Sequence, residues 1–322
     1  MKHIYIHTAH LSAADYRSVL DRLCPDSVRD ITVHTHFPAT VTEKDIEALV
    51  EVQKAFSEDR SLRFRNYGVF TQLPRFSKAL LKALHKHSFF LELQVGTDMA
   101  ASLVDTAKRL EKAGLGYRLQ VNEPADQQAA YRLFAVHGLH ISFTNPRYTA
   151  QCPDLFDKWL YDPAAQGVNT FTDIIHMLVM QTHSPNCRHA SCFGTTFYVD
   201  ERLDVYLCPV CPDQRTKLGS LKEAENLEAL LNCDTVARLL PPAVQKRERC
   251  AAGCKSFGYC QGGCPLETEN DECVHYAATV ERIRQRLLEI YRDGNVRQVN
   301  YIVKNAILNA LAFGTAFFNQ QP

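Results

Sequence analysis

Residues 250–265 read CAAGCKSFGYCQGGCP. Cys250, Cys254, Cys260 and Cys264 are separated by three, five and three residues, and Pro265 ends the run. Short cysteine spacings let a tight loop wrap an iron–sulfur cluster while its amides face the sulfides. Gly262 and Gly263 suit that wrapping, because glycine permits positive φ and close backbone approach. Zinc also favours four thiolates, but its sites usually come as paired C-x₂-C knuckles, which this spacing is not.

Working outward, the cysteines are unevenly placed. Of 12 in the chain, only Cys24 and Cys152 precede Cys187. Upstream of the loop stands Cys187-Arg-His-Ala-Ser-Cys192, then the hairpin-like stretch FYVDERLDVYLC ending at Cys208; downstream stands Cys273. Two four-cysteine sites, each with a [4Fe–4S] cluster, follow from these eight thiolates. Cys211 and Cys233 are surplus, and Cys24 and Cys152 read as small buried hydrophobes. A disulfide framework fits poorly with a soluble cytoplasmic protein, the expectation from an apolar content without a membrane-length run or a signal-peptide core. The formal net charge is +0 over 322 residues, which disfavours bulk attraction to nucleic acid or membrane.

The first half alternates strand-like and helix-like stretches. Strands are expected near Lys2–Thr8, Asp30–His36, Leu62–Tyr67, Phe89–Val95, Tyr117–Asn122 and Leu139–Thr144. EKDIEALVEVQKAF and ASLVDTAKRLEKAG between them have helical periodicity, and Gly114 stops the second. Such units imply a parallel sheet with right-handed crossovers. Each strand has one apolar face, as in Ile4 and Ile6 or Ile31 and Val33. The opposite face carries Tyr5, His7, His34, His36, Arg63, Arg65, Glu92, Gln94, Arg118, Gln120, His140 and Ser142. A doubly wound sheet would be apolar on both faces, so a partial (β/α) barrel with a polar concave lumen fits better. His7, His34, His36, Arg63, Arg65, Glu92, Gln94 and Arg118 are its candidate ligand-binding residues, for a polar guest such as a carboxylate-rich peptide. His7, His36, Tyr67, Gly96, Thr97, Asn122 and Asn145 are expected at its mouth. His34 and His36 invite a metal reading, but no carboxylate is placed to complete one. No nucleotide-binding glycine motif is present.

Residues 187–273 resemble a SPASM domain, the auxiliary-cluster module of radical S-adenosylmethionine (SAM) enzymes that modify peptides. The family pattern C-x₂-C-x₅-C-x₃-C is matched here with a first gap of three, and Leu218–Leu221 (LGSL) sits where the family has a similar stretch. The resemblance implies that Cys187, Cys192, Cys208 and Cys264 hold one cluster and that Cys250, Cys254, Cys260 and Cys273 hold the other. Where the family has glycine five residues before the third cysteine, this chain has Leu203, a departure that bears on the local turn and not on the ligands. Upstream, the order of elements is similar to a radical SAM barrel, and His34-Thr35-His36-Phe37-Pro38 falls where the family has Gly-Gly-Glu-Pro, which receives the methionine amine. The family's C-x₃-C-x₂-C triplet follows the first strand; here residues 8–20 read TAHLSAADYRSVL, without a cysteine.

The resemblance therefore implies a pseudo-radical-SAM protein with no catalytic residues of its own. Its expected organisation is an α/β chain with a degenerate partial barrel (1–146), a linker and helix (147–186), a cysteine-rich SPASM-like iron–sulfur domain (187–275) and C-terminal helices (276–322). An accessory role in peptide maturation is expected, with a precursor peptide or a true radical SAM enzyme as partner. The alternative is a redox enzyme that uses its two auxiliary clusters. The last helix, apolar along much of its length, is expected to dock within the chain.

Overall fold

The computed structural model describes residues 2–7, 12–58, 60, 62–95, 100–121, 131, 139, 141–143, 150–163, 167–180, 193–264, 266 and 271–312. The chain divides into two compact units, residues 1–95, 101–120 and 191–241 forming one and residues 96–100, 121–190 and 242–322 the other. The division falls between Pro241 and Pro242, inside the helix Asp234–Gly253. Two consecutive prolines there leave the helical hydrogen-bond ladder without two N–H donors.

In the first unit, β1 (Lys2–His7), β2 (Asp30–Phe37), β3 (Arg63–Phe70), β4 (Phe90–Val95) and β5 (Tyr117–Val121) alternate with α1 (Ala13–Leu23), α2 (Glu43–Glu58), α3 (Lys78–Lys86) and α4 (Ala100–Lys112). β1, β2, β3 and β4 pair in parallel. These are the elements the alternating pattern implies. The helices start where the sequence supplies caps: Ser12 and Asp15 form a capping box before α1, and the Ser77 side chain accepts from Leu80 N before α3. α4 ends as expected, with Gly114 at a φ of 70°.

The helices cover one face of the sheet. Ile4, Ile6, Ile31, Val33, Leu91 and Leu119 are fully buried there, each worth about 1.5–3 kcal/mol relative to exposure. Gln53 on α2 crosses this layer. Its amide bonds Tyr16 Oη of α1 at 2.8 Å and pairs reciprocally with Asn66 of β3 at 2.8 and 2.9 Å. Asn66 thus faces the helices, which turns Arg65 and Tyr67 to the opposite, inner face. Cys24 is buried, as a small hydrophobe should be.

One feature of the sheet has no counterpart in the strand-by-strand reading. β7 (Thr196–Val199) pairs in parallel with β1, on the edge that β2 leaves open, His3 opposite Thr196 and Ile6 opposite Val199. β8 (Asp204–Tyr206) and β9 (Lys217–Ser220) follow antiparallel. The strand order in this unit is β5-β4-β3-β2-β1-β7-β8-β9. β1 is therefore interior rather than an edge.

The second unit is mainly helical. The short strand β6 (Ile141–Phe143), bridged to Val168, belongs to it. Its core gathers Phe156, Trp159 and Phe171, with ring centroids 5.4 to 5.9 Å apart. Cys152 is buried beside them on the helix Cys152–Leu160. Asp157 of that helix is held by Arg282 and Arg286 of the helix Asp271–Asp293. Asn300 caps the helix Tyr301–Ala312 and donates from Nδ2 to Trp159 O at 2.9 Å. That last helix buries Val303, Ile307 and Ala310 and packs on the helix Asn169–Met180, so it docks within the chain. Among the described residues no helix is long and apolar enough to cross a membrane.

Candidate functional site

The thiols of the second unit lie on a chain of tight turns. Cys250 is in the last turn of the helix Asp234–Gly253, and its carbonyl accepts from Cys254 N at 2.9 Å. Cys254 O in turn accepts from Phe257 N at 3.1 Å, opening the short helix Phe257–Cys260. The chain then reverses through Gln261, Gly262 and Gly263, with φ of 55°, 96° and 73°. Cys273 lies in the first turn of the helix Asp271–Asp293.

Cys260 is buried, and burial pushes its thiol up from the ordinary value. A hydrogen bond from Gly262 N–H acts the other way, while neighbouring Cys273, Cys254 and Cys250 push it further up. These four are the cysteines that the family resemblance assigns to one cluster, and the fold brings the other three within electrostatic reach of Cys260. As thiolates they repel, so the arrangement suits a positively charged centre that all four bind. Among the described residues no three histidine, cysteine or carboxylate groups converge on a single metal ion. A cubane carries each thiolate on its own iron, so its ligands stand farther apart than four sulfurs at about 2.3 Å from one zinc ion. The donor set, the glycine turn and the amide aimed at sulfur fit an iron–sulfur cluster.

The other quartet is described only in part, since Cys187 and Cys192 lie outside the described residues. In the first unit Cys208 is buried just beyond β8, next to Leu207, whose N–H bonds Thr216 O at 2.9 Å. In the second unit Cys264 gives its carbonyl to Lys246 Nζ at 3.0 Å. Surplus Cys211 and Cys233 are half-buried.

The turn before Cys208 answers the question that Leu203 raises. Leu203 adopts a φ of 67°, the left-handed conformation that glycine would take without strain. Asp200 holds the turn, its Oδ1 accepting from Arg202 N and Asp204 N, both at 2.9 Å. The Leu203 side chain is buried in return.

On the inner face of the first unit, strand register stacks three rings. Tyr5 is opposite His34, and His34 opposite Tyr67. Their centroids are 4.0 and 4.6 Å apart, with the His34 imidazole sandwiched between the tyrosines. His34 Nδ1 lies 3.4 Å from Glu92 Oε2, and Arg118 pairs with Glu92 Oε1. Arg118 also lies over the Tyr67 ring, 5.9 Å from its centroid. Burial alone would raise the Glu92 carboxyl; the hydrogen bond and charge of His34, then Arg118, overcome this and hold it below the usual range.

Nearer the C-terminal ends of the strands, His7 and His36 stack at 5.9 Å, and His36 meets the edge of Tyr198. His7 Nδ1 is 3.0 Å from Glu201 Oε1, but the two are not aligned as a hydrogen bond. Burial lowers His36 to about 4, with His7 and His34 acting the same way against Glu92. Burial likewise lowers His3 to about 4. Arg63 is exposed and paired with Asp30, Arg65 is exposed, and Gln94 is half-buried. Of the expected mouth residues, Gly96, Thr97, Asn122 and Asn145 lie outside the described residues. The sequence reading missed Tyr198, Glu201 and Asp200, because nothing local says that the cysteine-rich hairpin is inserted beside β1.

No protein-family model and no curated protein matches this chain. Solved structures do. "Native anSMEcpe with bound AdoMet" superposes with a TM-score of 0.69 at 15% identity, covering 89% of this chain and 98% of that one. The structure of the same protein with AdoMet and the Cp18Cys peptide gives 0.69 at 15% identity, over 90% and 99%. With the Kp18Cys peptide the values are 0.70 and 15%, over 90% and 99%. The fold is radical-SAM/SPASM-like. At this identity the likeness carries the fold alone.

Proposed function

We propose that this chain is an accessory iron–sulfur protein of a peptide-maturation system, without radical SAM activity of its own. Residues 1–146 are its degenerate barrel and 187–275 its cluster-bearing module. Cys187, Cys192, Cys208 and Cys264 hold one [4Fe–4S] cluster, and Cys250, Cys254, Cys260 and Cys273 the other. Bound there, the clusters would supply one-electron transfer and cross-link the module through metal–thiolate bonds.

The observation that carries the reading is the His34 sandwich. His34 begins the segment that stands where the family receives the methionine amine. Its imidazole is clasped by Tyr5 and Tyr67 and bonded to Glu92. The sequence agrees, since Cys24 is the only cysteine among the first 151 residues and no three-thiolate site with an open iron can form after β1. A peptide partner is supported by the similar structures that contain one. The barrel, relieved of cofactor chemistry, is left to bind a precursor peptide or to dock a radical SAM enzyme.

The test has two readouts. Anaerobically purified protein is expected to be brown, with about eight irons and eight sulfides per chain. Reduced with dithionite and given S-adenosylmethionine, it is expected to form no 5′-deoxyadenosine above the no-protein control. Colourless protein with stoichiometric zinc would refute the clusters. Deoxyadenosine formation that disappears in a His34→Ala, His36→Ala variant would refute the inactivity.

A further inference from the structure

The helix Asp234–Gly253 brings two consecutive cations against the cysteine turn. Lys246 Nζ donates to Cys264 O at 3.0 Å and would stand 3.8 Å from a Cβ placed on Gly263. Arg247 Nη2 donates to Gln261 Oε1 at 3.2 Å. Its Cα is so close to Gly262 that a Cβ there would come within 3.2 Å. The whole reversal from Gln261 to Cys264 is therefore pressed onto one turn of helix that also carries Cys250.

We infer that Lys246 and Arg247 are positioning and tuning residues of the cluster held by Cys250, Cys254, Cys260 and Cys273. This rests on the proposed cluster ligation above. The two side chains hold the glycine turn in the left-handed conformation that aims Gly262 N–H at Cys260 sulfur. They also place two positive charges beside a centre whose four thiolates make it anionic. Reduction adds one electron to that centre, so the reduced form is the more negative and is the one that nearby cations favour. The charge and hydrogen bonds around a cluster set its potential. Lys246 and Arg247 thus raise the potential of this cluster relative to the same cluster without them. The assignment is confined to these two residues, whose side chains bond the turn.

The experiment is a dithionite titration of anaerobically purified full-length protein, followed by electron paramagnetic resonance. It compares the wild type with Lys246→Met, Lys246→Arg and Arg247→Gln, and iron is counted in each. Expected is a more negative midpoint for one cluster in Lys246→Met and Arg247→Gln, with Lys246→Arg close to wild type. Iron-loaded Lys246→Met with both midpoints unmoved overturns the inference alone. If Lys246→Met sheds its iron, Arg247→Gln decides, and an unmoved midpoint there overturns it. Wild-type protein without iron would instead overturn the cluster reading on which this rests.

Discussion

Glu92→Gln is the substitution that most directly probes the inner face. It keeps the shape of the side chain and its reach to His34, but removes the charge that compensates Arg118. Glu92 is 1% exposed and Arg118 36%. Removing one partner of a fully buried ion pair typically costs about 3–5 kcal/mol, mostly because the other charge is stranded. Arg118 still reaches water in part, so the expected loss is smaller, about 2–3 kcal/mol. For a unit of this size that lowers the melting midpoint by roughly 5–10 °C. Far-ultraviolet circular dichroism during heating or urea titration reads it. Arg63→Gln is the control, since Arg63 is 79% exposed and paired with Asp30 on the surface; it should change stability by less than about 0.5 kcal/mol. A Glu92→Gln loss below about 1 kcal/mol would refute the claim that this network holds the inner face.

The remaining expectations concern the turns, the thiols and acid. Leu203→Gly relieves about 1–2 kcal/mol of left-handed strain but forfeits a buried leucine worth about 2–5 kcal/mol, leaving a net loss of about 1–3 kcal/mol in urea denaturation; a loss of about 5 or more would mean that Leu203 stores no strain. Cys260→Ala should lower iron from about eight to about four per chain while most circular dichroism is kept, and unchanged iron would remove Cys260 from the ligand set. His3 and His36 have folded pKa values lowered from 6.5 to about 4. Their contribution is present above 6.5 and is lost as pH falls toward 4, because the unfolded chain takes up protons first. A stability profile flat between pH 7 and 4 would contradict their burial as neutral rings.

Much of the barrel was legible because its signals are local. Alternation in KHIYIH and DITVHTHF specifies two faces, and Ser12, Ser77 and Gly114 mark helix ends, so these elements lie close to where periodicity puts them. The cysteine spacing likewise picked out Cys250, Cys254 and Cys260, whereas Cys273 as their neighbour came only from the family resemblance. What periodicity does not carry is partnership across distance. Alternation identified a polar face with His34 and Glu92 on it, but not that strand register would stack Tyr5, His34 and Tyr67 and bury the imidazole between the rings. Nor did it show that Asp200 replaces a glycine's freedom by holding Leu203 in its turn. Both depend on which strands become neighbours, and that is a property of the sheet rather than of any one segment.

The place of β1 has a consequence for how the chain is made. One edge of β1 finds β2 within about thirty residues, but the other is completed only by β7, roughly 190 residues later. At about 5–20 residues per second on the ribosome, that edge stays open for roughly 10–40 s. An unpaired strand edge is a template for other chains. The histidines at positions 3 and 7 and Lys2 are the polar residues along it during that interval. The nascent protein thus carries an open strand edge through that interval, and a variant that made His3 and His7 apolar would do its damage during synthesis rather than in the finished molecule.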